Sequence, residues 1–407
     1  GKRKVRPTMT KQSPGALDGI RVIDLTRVLA GPFCAMMLGD MGADVVKVEQ
    51  PGRGDDTRAW GPPFVGEESA YYLGANRNKR GMTLNLKEPS AREVLAELLR
   101  DADVVIDNFK LGTMAKFGFD DAWYEENAPQ IVRASILGYG STGPRAGLPG
   151  YDFLLQAESG LMSITGEADG DPMKLGVAIV DLCTGMYALS SILAALQARH
   201  RTGKGQYVEV SLYDTGISLL ANVAANYLAS GNPAGRYGNG HPNIVPYNAY
   251  PTHDGMIALS VGNDGQFQTF CNAVGQDAWA DDARFSRNRD RVENRDACDA
   301  MISDLLRRDD TAAWLDKLQS AGVSCAPINT VDQALTAEHT IARELVTKAV
   351  HSVEGEIDLP GIPFKLMGTP ATIRRAPPTL GEHTEDVLRE IGKSDDDITR
   401  LRESGAI

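Results

Sequence analysis

A chain of 407 residues, 42% hydrophobic and 24% charged, is long enough for two domains with their own cores and too apolar for a disordered polymer. A formal net charge of −12, with no long Lys and Arg block beyond the extreme N-terminus, excludes a nucleic-acid surface, so an anionic ligand would have to be held by local cations. The five cysteines, Cys34, Cys183, Cys271, Cys298 and Cys325, lie far apart without CxxC spacing, which argues against a disulfide framework or a structural zinc site and fits a reducing cytoplasm.

Residues 1–8 precede Met9 and are basic and acid-free; they read as an added segment or a trimmed targeting stub without structural role. From Gly19 the chain alternates short apolar runs with amphipathic ones, the pattern of a mostly parallel, doubly wound α/β sheet. Arg21–Leu25 reads as a strand, Ala30–Met41 as a helix opened by Gly31 and Pro32, and Val45–Glu49 as the next strand. Further strands are predicted at Met82–Leu86, Val104–Asn108 and Ile131–Leu137, with helices at Ala91–Arg100 and Thr113–Phe117. Apolar residues at helical spacing predict a long helix over Asp181–His200, then a Thr-Gly-Lys-Gly turn, a strand at Tyr207–Leu212 and one helix to about Leu228.

Between Gly231 and Tyr250 the composition turns to Gly, Asn, Pro and His, marking a boundary or a functional loop. The expected organisation is a large Rossmann-like domain over 15–230, a small α+β domain over 231–340 and a C-terminal segment, 341–407, that returns to the first. No apolar run reaches the roughly 18 residues of a membrane span, because Asp181, Thr184 and Gln197 interrupt the longest candidate. A soluble protein is expected, without membrane or nucleic-acid partners.

Asp24–Pro32 makes a tight strand-to-helix corner, and Glu49 ends the next strand where a ribose-binding acid would sit. The GxGxxG spacing is missing, which argues against a nicotinamide dehydrogenase. Asn76–Arg80 groups three cations before a strand and Lys87 follows it. These read equally as a solvated charge run or as the place where phosphates are neutralised, and Lys47 and Lys116 are weaker candidates. Asp181, in Gly176–Gly185, is delivered by an apolar stretch to the start of the long helix. It reads either as the helix N-cap or as a nucleophile whose ionised form the helix N-terminus favours. Gly238–Pro246 reads as a mobile loop whose N–H groups and His241 close over reacting carbonyls, or as a plain connection. His241 has no partner at metal-ligand spacing, so no metal is expected.

Taken together, Asp24–Pro32, Gly42–Glu49, Asn76–Arg80, Gly138–Pro144, Pro149–Asp152 and the Asp181 segment resemble the family III CoA transferases, which include formyl-CoA transferase and carnitine CoA transferase. The resemblance covers Gly19 to Ile407, and residues 54–66 and 244–250 make the chain look most like the members that act on dicarboxylic acids. It implies a large Rossmann-like domain built from both chain ends, a smaller domain between them, and two subunits threaded through each other as an interlocked homodimer. It also implies transfer of CoA from a donor such as succinyl-CoA to an acid such as glutarate, through an aspartyl-CoA thioester on Asp181. Gly238, Gly240 and His241 would shield and polarise the reacting groups. CoA would touch Leu29, Ala30, Leu84, Asn85, Lys87, Asn108, Phe109, Lys116 and Tyr151, as a substrate rather than a tightly bound cofactor.

Gln50 and Lys116 depart from cations of formyl-CoA transferase, so its phosphate contacts do not carry over unchanged, and the Gly-Asn-Gly-His loop argues against oxalate as acceptor. The distal carboxylate of a dicarboxylic acid calls for an arginine, with Arg27, Arg58 and Arg77 as candidates. Two rival readings remain. An α-methylacyl-CoA racemase of the same fold would have histidine at the position of Tyr151, and a non-catalytic acyl-CoA binding protein would not need Asp181. The compartment expected is the cytoplasm, or the mitochondrial matrix in a eukaryote.

Overall fold

The computed structural model describes residues 14–407; the basic segment 1–8 lies outside them. These residues form two compact units, one of 14–158, 177–218 and 338–407, the other of 159–176 and 219–337. The second unit therefore takes in 159–176 and starts at 219, inside the span read from the sequence as one domain over 15–230.

The first unit is built on six strands: β1 Arg21–Asp24, β2 Asp44–Glu49, β3 Lys79–Thr83, β4 Val104–Asp107, β5 Val132–Leu137 and β6 Tyr207–Ser211. All neighbours pair in parallel, in the order β3-β2-β1-β4-β5-β6. Val22 faces Val45 on one side and Val104 on the other, and strands enclosed on both flanks and both faces read as continuous apolar runs. This strand order reverses between β1 and β4, so a crevice opens beyond the C-terminal ends of those two strands.

Helix α1, Ala30–Asp40, follows β1, and α2, Pro89–Arg100, follows β3 with Pro89 in its first turn. α2 lays Ala91, Val94, Leu95, Leu98 and Leu99 onto the sheet, and Val387, Leu388, Ile398 and Leu401 from the two C-terminal helices complete that core. Helix α3 spans Asp152–Glu158 and α4 spans Ile179–Thr202. Contrary to the expectation that Asp181, Thr184 and Gln197 interrupt any such run, α4, at 24 residues, is long and apolar enough to cross a membrane by length and composition, because isolated polar residues do not offset its apolar average. Here it is a core helix, packing Val180, Thr184, Gly185, Ala188, Ile192 and Ala195 inward and lying against α1.

Two sequence expectations fail locally. β3 begins at Lys79, three residues before the expected Met82, because the charged start of the strand is buried and paired rather than solvated. The single helix expected up to Leu228 is two, Leu212–Ser218 and Ala221–Ser230, with Ala221 at φ +44 between them; a left-handed residue ends any helical run.

The second unit holds a three-stranded antiparallel sheet of β7 Tyr247–Pro251, β8 Met256–Ser260 and β9 Cys325–Pro327, with β8 central. Phe267, Phe270, Ile302, Trp314 and Leu318 pack beneath it. Arg291 is fully buried and donates to Val245 O, Phe285 O and Asp264.

Candidate active site

The turn after β1 is held open by a buried clamp. Val28 sits at φ +75, a region that costs a β-branched residue about 1–3 kcal/mol unless its surroundings enforce it. Asp55 accepts the Val28 N–H at 3.2 Å and the Lys47 ammonium at 2.9 Å, and Lys47 also donates to Thr26 O at 2.9 Å. Across the crevice Asn108 pairs with the backbone of Arg27 in both directions, donating to Arg27 O at 2.8 Å and accepting from Arg27 N at 3.1 Å. The ends of β1 and β4 are thus tied at a fixed separation.

A cavity of about 390 Å³ opens there, lined by Arg27, Leu29, Ala30, Asp56, Asn108, Phe109, Lys110, Tyr151 and Asp181 among others. A second, of about 200 Å³, shares Arg27 and Phe109 and is lined by Gln50, Arg53, Leu84, Asn85 and Lys87. The structure therefore gathers Leu29, Ala30, Asn108, Phe109 and Tyr151 with Asp181, and Leu84, Asn85 and Lys87 around Phe109. Lys116 lines neither cavity and is exposed on its short helix.

Asp181 is not the N-cap that its position suggests. The capping residue is Ala178, whose side chain has no oxygen, and Asp181 lies within the first turn of α4. The cap comes from Asp152 on α3, whose Oδ2 accepts from Val180 N at 2.8 Å and Asp181 N at 3.0 Å. Nor does the helix N-terminus leave Asp181 easily ionised. Burial, and then the nearby Asp152 carboxylate, push the Asp181 carboxyl up to about 7. The same surroundings, burial first and then Asp181, Asp152 and Asp55, push the Tyr71 phenol up to about 12. Asp56, the other acid of the cavity, is ion-paired with Arg53 at 2.7 Å.

One turn beyond Asp181, α4 meets α1 at Gly185, where an added Cβ would lie 2.7 Å from Ala30 O. Only a glycine allows that approach, and it fixes the nucleophile candidate against the helix that begins in the cavity wall.

The basic cluster at 76–80 does not face a ligand. Arg77 is 3% exposed and pairs bidentately with Asp40 at 2.9 and 2.7 Å. Lys79 is fully buried, donating to Asp24, Asn76 and Pro32 O, each at 2.9 Å. Burial drags its ammonium down to about 8 despite Asp24. Arg80 bridges Asp44 and Glu390. Arg58 is bidentate to Glu49, both at 2.7 Å, and donates to the Tyr72 hydroxyl. Of the three arginines considered for a distal carboxylate, Arg27 alone lines the Asp181 cavity, with 54% of its side chain exposed.

Gly238, Gly240 and His241 belong to the second unit. The loop expected to be mobile is braced there: Arg295 donates to His241 O at 2.8 Å, His241 Nδ1 accepts from Asn243 N at 3.0 Å, and the ring sits edge-on to Tyr247. Burial and Arg295 lower the His241 pKa, keeping the ring neutral. Gly238, at φ +59, and Gly240 line a cavity of about 200 Å³ with Tyr227 and Tyr237. Among the described residues no cluster of three His, Cys, Asp or Glu side chains forms a metal site.

Sequence reasoning missed Asp152, Lys110 and Tyr71. Asp152 carried a signal, an acid directly after Tyr151 ahead of a helical run, but its partner segment lies 28 residues on, and no local pattern links the two.

An α/β crevice at a topological switch point, with a carboxyl group at the start of a long helix in its wall, is where an open α/β sheet takes a ligand. The chain belongs to CoA-transferase family III, whose family model matches residues 17–384, and it is a CoA-transferase. It is similar to the succinate–glutarate CoA-transferase of Agrobacterium fabrum, 45% identical over 92% of this chain and 95% of that one. It is also similar to the human succinyl-CoA:glutarate CoA-transferase, 40% identical over 96% of this chain and 89% of the relative. Among solved structures it matches a CAIB/BAIF family protein from Brucella suis, with a TM-score of 0.81, 40% identity, and coverage of 93% of this chain and 100% of that one.

Proposed function

We propose that this CoA-transferase moves CoA from succinyl-CoA to a dicarboxylic acid such as glutarate, through an aspartyl-CoA thioester on Asp181. The observation that carries the reading is a carboxyl group held near neutrality, lining the cavity at the β1/β4 switch point, in a family that transfers CoA. The acceptor class rests on the relatives, which are named for succinate and glutarate.

The Asp181 carboxylate attacks the donor thioester carbonyl and forms a mixed anhydride, releasing CoA thiolate. The thiolate then attacks the aspartyl carbonyl, expelling succinate and leaving the aspartyl-CoA thioester, and the acceptor acid reverses both steps. The bond energy of the donor thioester is retained throughout, so no nucleotide is consumed. Leu29, Ala30, Asn108, Phe109 and Tyr151 hold the pantetheine arm against Asp181. Leu84, Asn85 and Lys87 hold the nucleotide end, with Arg53 and Lys110 supplying charge in place of the buried 76–80 cluster. Lys116 stays outside this set. Arg27 pairs with the far carboxylate of the succinyl or glutaryl group.

Hydrolysis of the anhydride is suppressed by excluding water, a task assigned to Gly238, Gly240 and His241. CoA is a substrate, no cofactor is resident, and the protein works as a soluble, interlocked homodimer in the cytoplasm or, in a eukaryote, the mitochondrial matrix. A racemase reading finds Tyr151 rather than histidine at its proton-shuttling position.

The test is mass spectrometry of the purified protein with succinyl-CoA and no acceptor. A CoA-sized adduct on the Asp181 peptide, missing from Asp181→Asn, is the expected result; full exchange activity in Asp181→Asn would sink the mechanism.

A further inference from the structure

We infer that Asp152 is a positioning residue for Asp181: it occupies the N–H groups that open the nucleophile's helix, so that they neither neutralise nor reorient the nucleophile. The inference rests on the aspartyl mechanism proposed above and adds a residue to it.

An uncapped helix leaves its first N–H groups unpaired, and an acid in the first turn can bend back to accept from them. Asp181 is such an acid, and Ala178 offers nothing to prevent it. Asp152 prevents it by taking Val180 N and Asp181 N on one oxygen, at 2.8 and 3.0 Å. Its other oxygen accepts from Gln156 Nε2 at 2.6 Å, and Gln156 is 1% exposed, so the cap is itself locked by packing. With its own helix end filled, the Asp181 side chain is left to face the cavity.

Asp152 also brings a negative charge to the helix end that would otherwise favour carboxylate. Several groups surround Asp181. Arg27 comes from the β1 corner, Asp56 from the short helix Asp56–Ala59 after β2, Lys110 from the segment after β4, and Tyr71 from the short helix Ala70–Leu73. Tyr151 and Asp152 come from the α3 side, and Cys183 from α4 itself. Burial and then Asp152 raise the Asp181 carboxyl to about 7.

A more basic carboxylate has two chemical consequences. It is a stronger nucleophile towards the thioester carbonyl. In the resulting anhydride it is also the poorer leaving group. When CoA thiolate adds to the aspartyl carbonyl, the C–O bond to the substrate acid breaks and the weaker base, succinate, departs with the electron pair. When the thiolate adds instead to the succinyl carbonyl, Asp181 must leave, and that return path is slower. Asp152 thereby biases the anhydride towards aspartyl-CoA.

The experiment is the pH dependence of single-turnover adduct formation from succinyl-CoA, read by intact mass in wild type and Asp152→Asn. The amide keeps a hydrogen-bond acceptor for α4 and removes the charge. The acid limb is expected near pH 7 in the wild type and about 1 unit lower in the variant. Well below its limb, the variant then keeps about a tenfold larger share of its own plateau rate, and its plateau is lower than that of wild type. An adduct with identical limbs in both proteins overturns the role of Asp152 and leaves the aspartyl mechanism standing. Should Asp152→Asn fail to fold, Asp152→Ser, which also keeps an acceptor for α4 and removes the charge, is read in the same way, and identical limbs in it and the wild type overturn the inference. A wild-type protein that forms no adduct on Asp181 overturns the proposed function, and this inference with it.

Discussion

The cations of the first unit fall into two populations that the sequence does not separate. Lys47, Arg58, Arg77 and Lys79 are buried or nearly so, and each is matched to an acid within 2.9 Å. Arg27, Arg53, Lys87 and Lys110 are exposed around the cavities. The first set shapes the crevice, since Lys47 and Asp55 hold the Val28 turn and Lys79 ties Asp24 at the end of β1 to Pro32 O in α1. The second set stands at the solvent-facing cavity mouths, where Arg27 and Arg53 share the single carboxylate of Asp56 at 3.7 and 2.7 Å, so an incoming anion can compete for these exposed charges. A charge that is buried with its partner cannot attract a phosphate, however basic its neighbourhood looks in one dimension.

Breaking the buried set should have the largest effect. Arg77→Ala leaves the Asp40 carboxylate uncompensated in the interior and should remove about 3–5 kcal/mol of stability, seen as a lower urea midpoint. The acyl-CoA KM of the protein that remains folded should be nearly unchanged. If Arg77→Ala instead raised that KM tenfold with no loss of stability, the two populations would have been assigned the wrong way round.

Arg27→Ala should do the opposite. Unfolding should stay at wild-type values, while the KM for glutarate rises about 10-fold or more through loss of a charge-assisted pair. A monocarboxylic acceptor should show little change. Equal losses for both acceptor types would remove Arg27 from the distal-carboxylate role.

Asp181 gives a smaller effect with a definite sign. Its folded-state pKa, about 7, stands above the ordinary 3.8, so the folded protein holds this proton more tightly than the unfolded chain does. The stability that this contributes is complete below about pH 4 and is lost as the pH rises through 7. Asp181→Asn cannot ionise and should therefore melt about 1–3 °C above wild type at pH 8, the gap closing as the pH is lowered towards 4. A gap that widened on acidification would mean that Asp181 is stabilised as a carboxylate.

The smallest effects belong to the exposed lysines. Lys87→Ala and Lys110→Ala should each raise the acyl-CoA KM about 2–5-fold at low ionic strength, and the difference should shrink in high salt, as screening of exposed charges requires. A salt-independent loss would point to a packed rather than an electrostatic contact.

How far the sequence could be read follows the same division. β1, β2, β4 and β5 are legible to within a residue or two because buried parallel strands are continuous apolar runs, while α1 follows from its Gly31-Pro32 entry and α4 from apolar spacing. β3 was misplaced because Lys79 and Arg80 open it, and a charged pair carries no mark of burial without its partner. The break at Ala221 was invisible because alanine favours helix and only tertiary packing holds it at positive φ. Asp181 itself was legible as an acid at a helix start. What was not legible was which acid caps that helix, because Asp152 reaches it from another element and local pattern cannot distinguish a capping residue from one that has been capped.

Gly185 sets a boundary for anyone seeking to change the acids this enzyme accepts. A single methyl group there would collide with Ala30 O and lever the whole rod of α4, about 36 Å from end to end, away from its bed. Variant libraries are therefore best confined to the exposed Leu148 and Tyr151 and to Arg27, with 181–185 kept invariant and Gly150 too, where a Cβ would lie 2.8 Å from Gly138 Cα. In that sense Asp181 sits in a part of the molecule with no room for added volume, bordered by an exposed rim that has some.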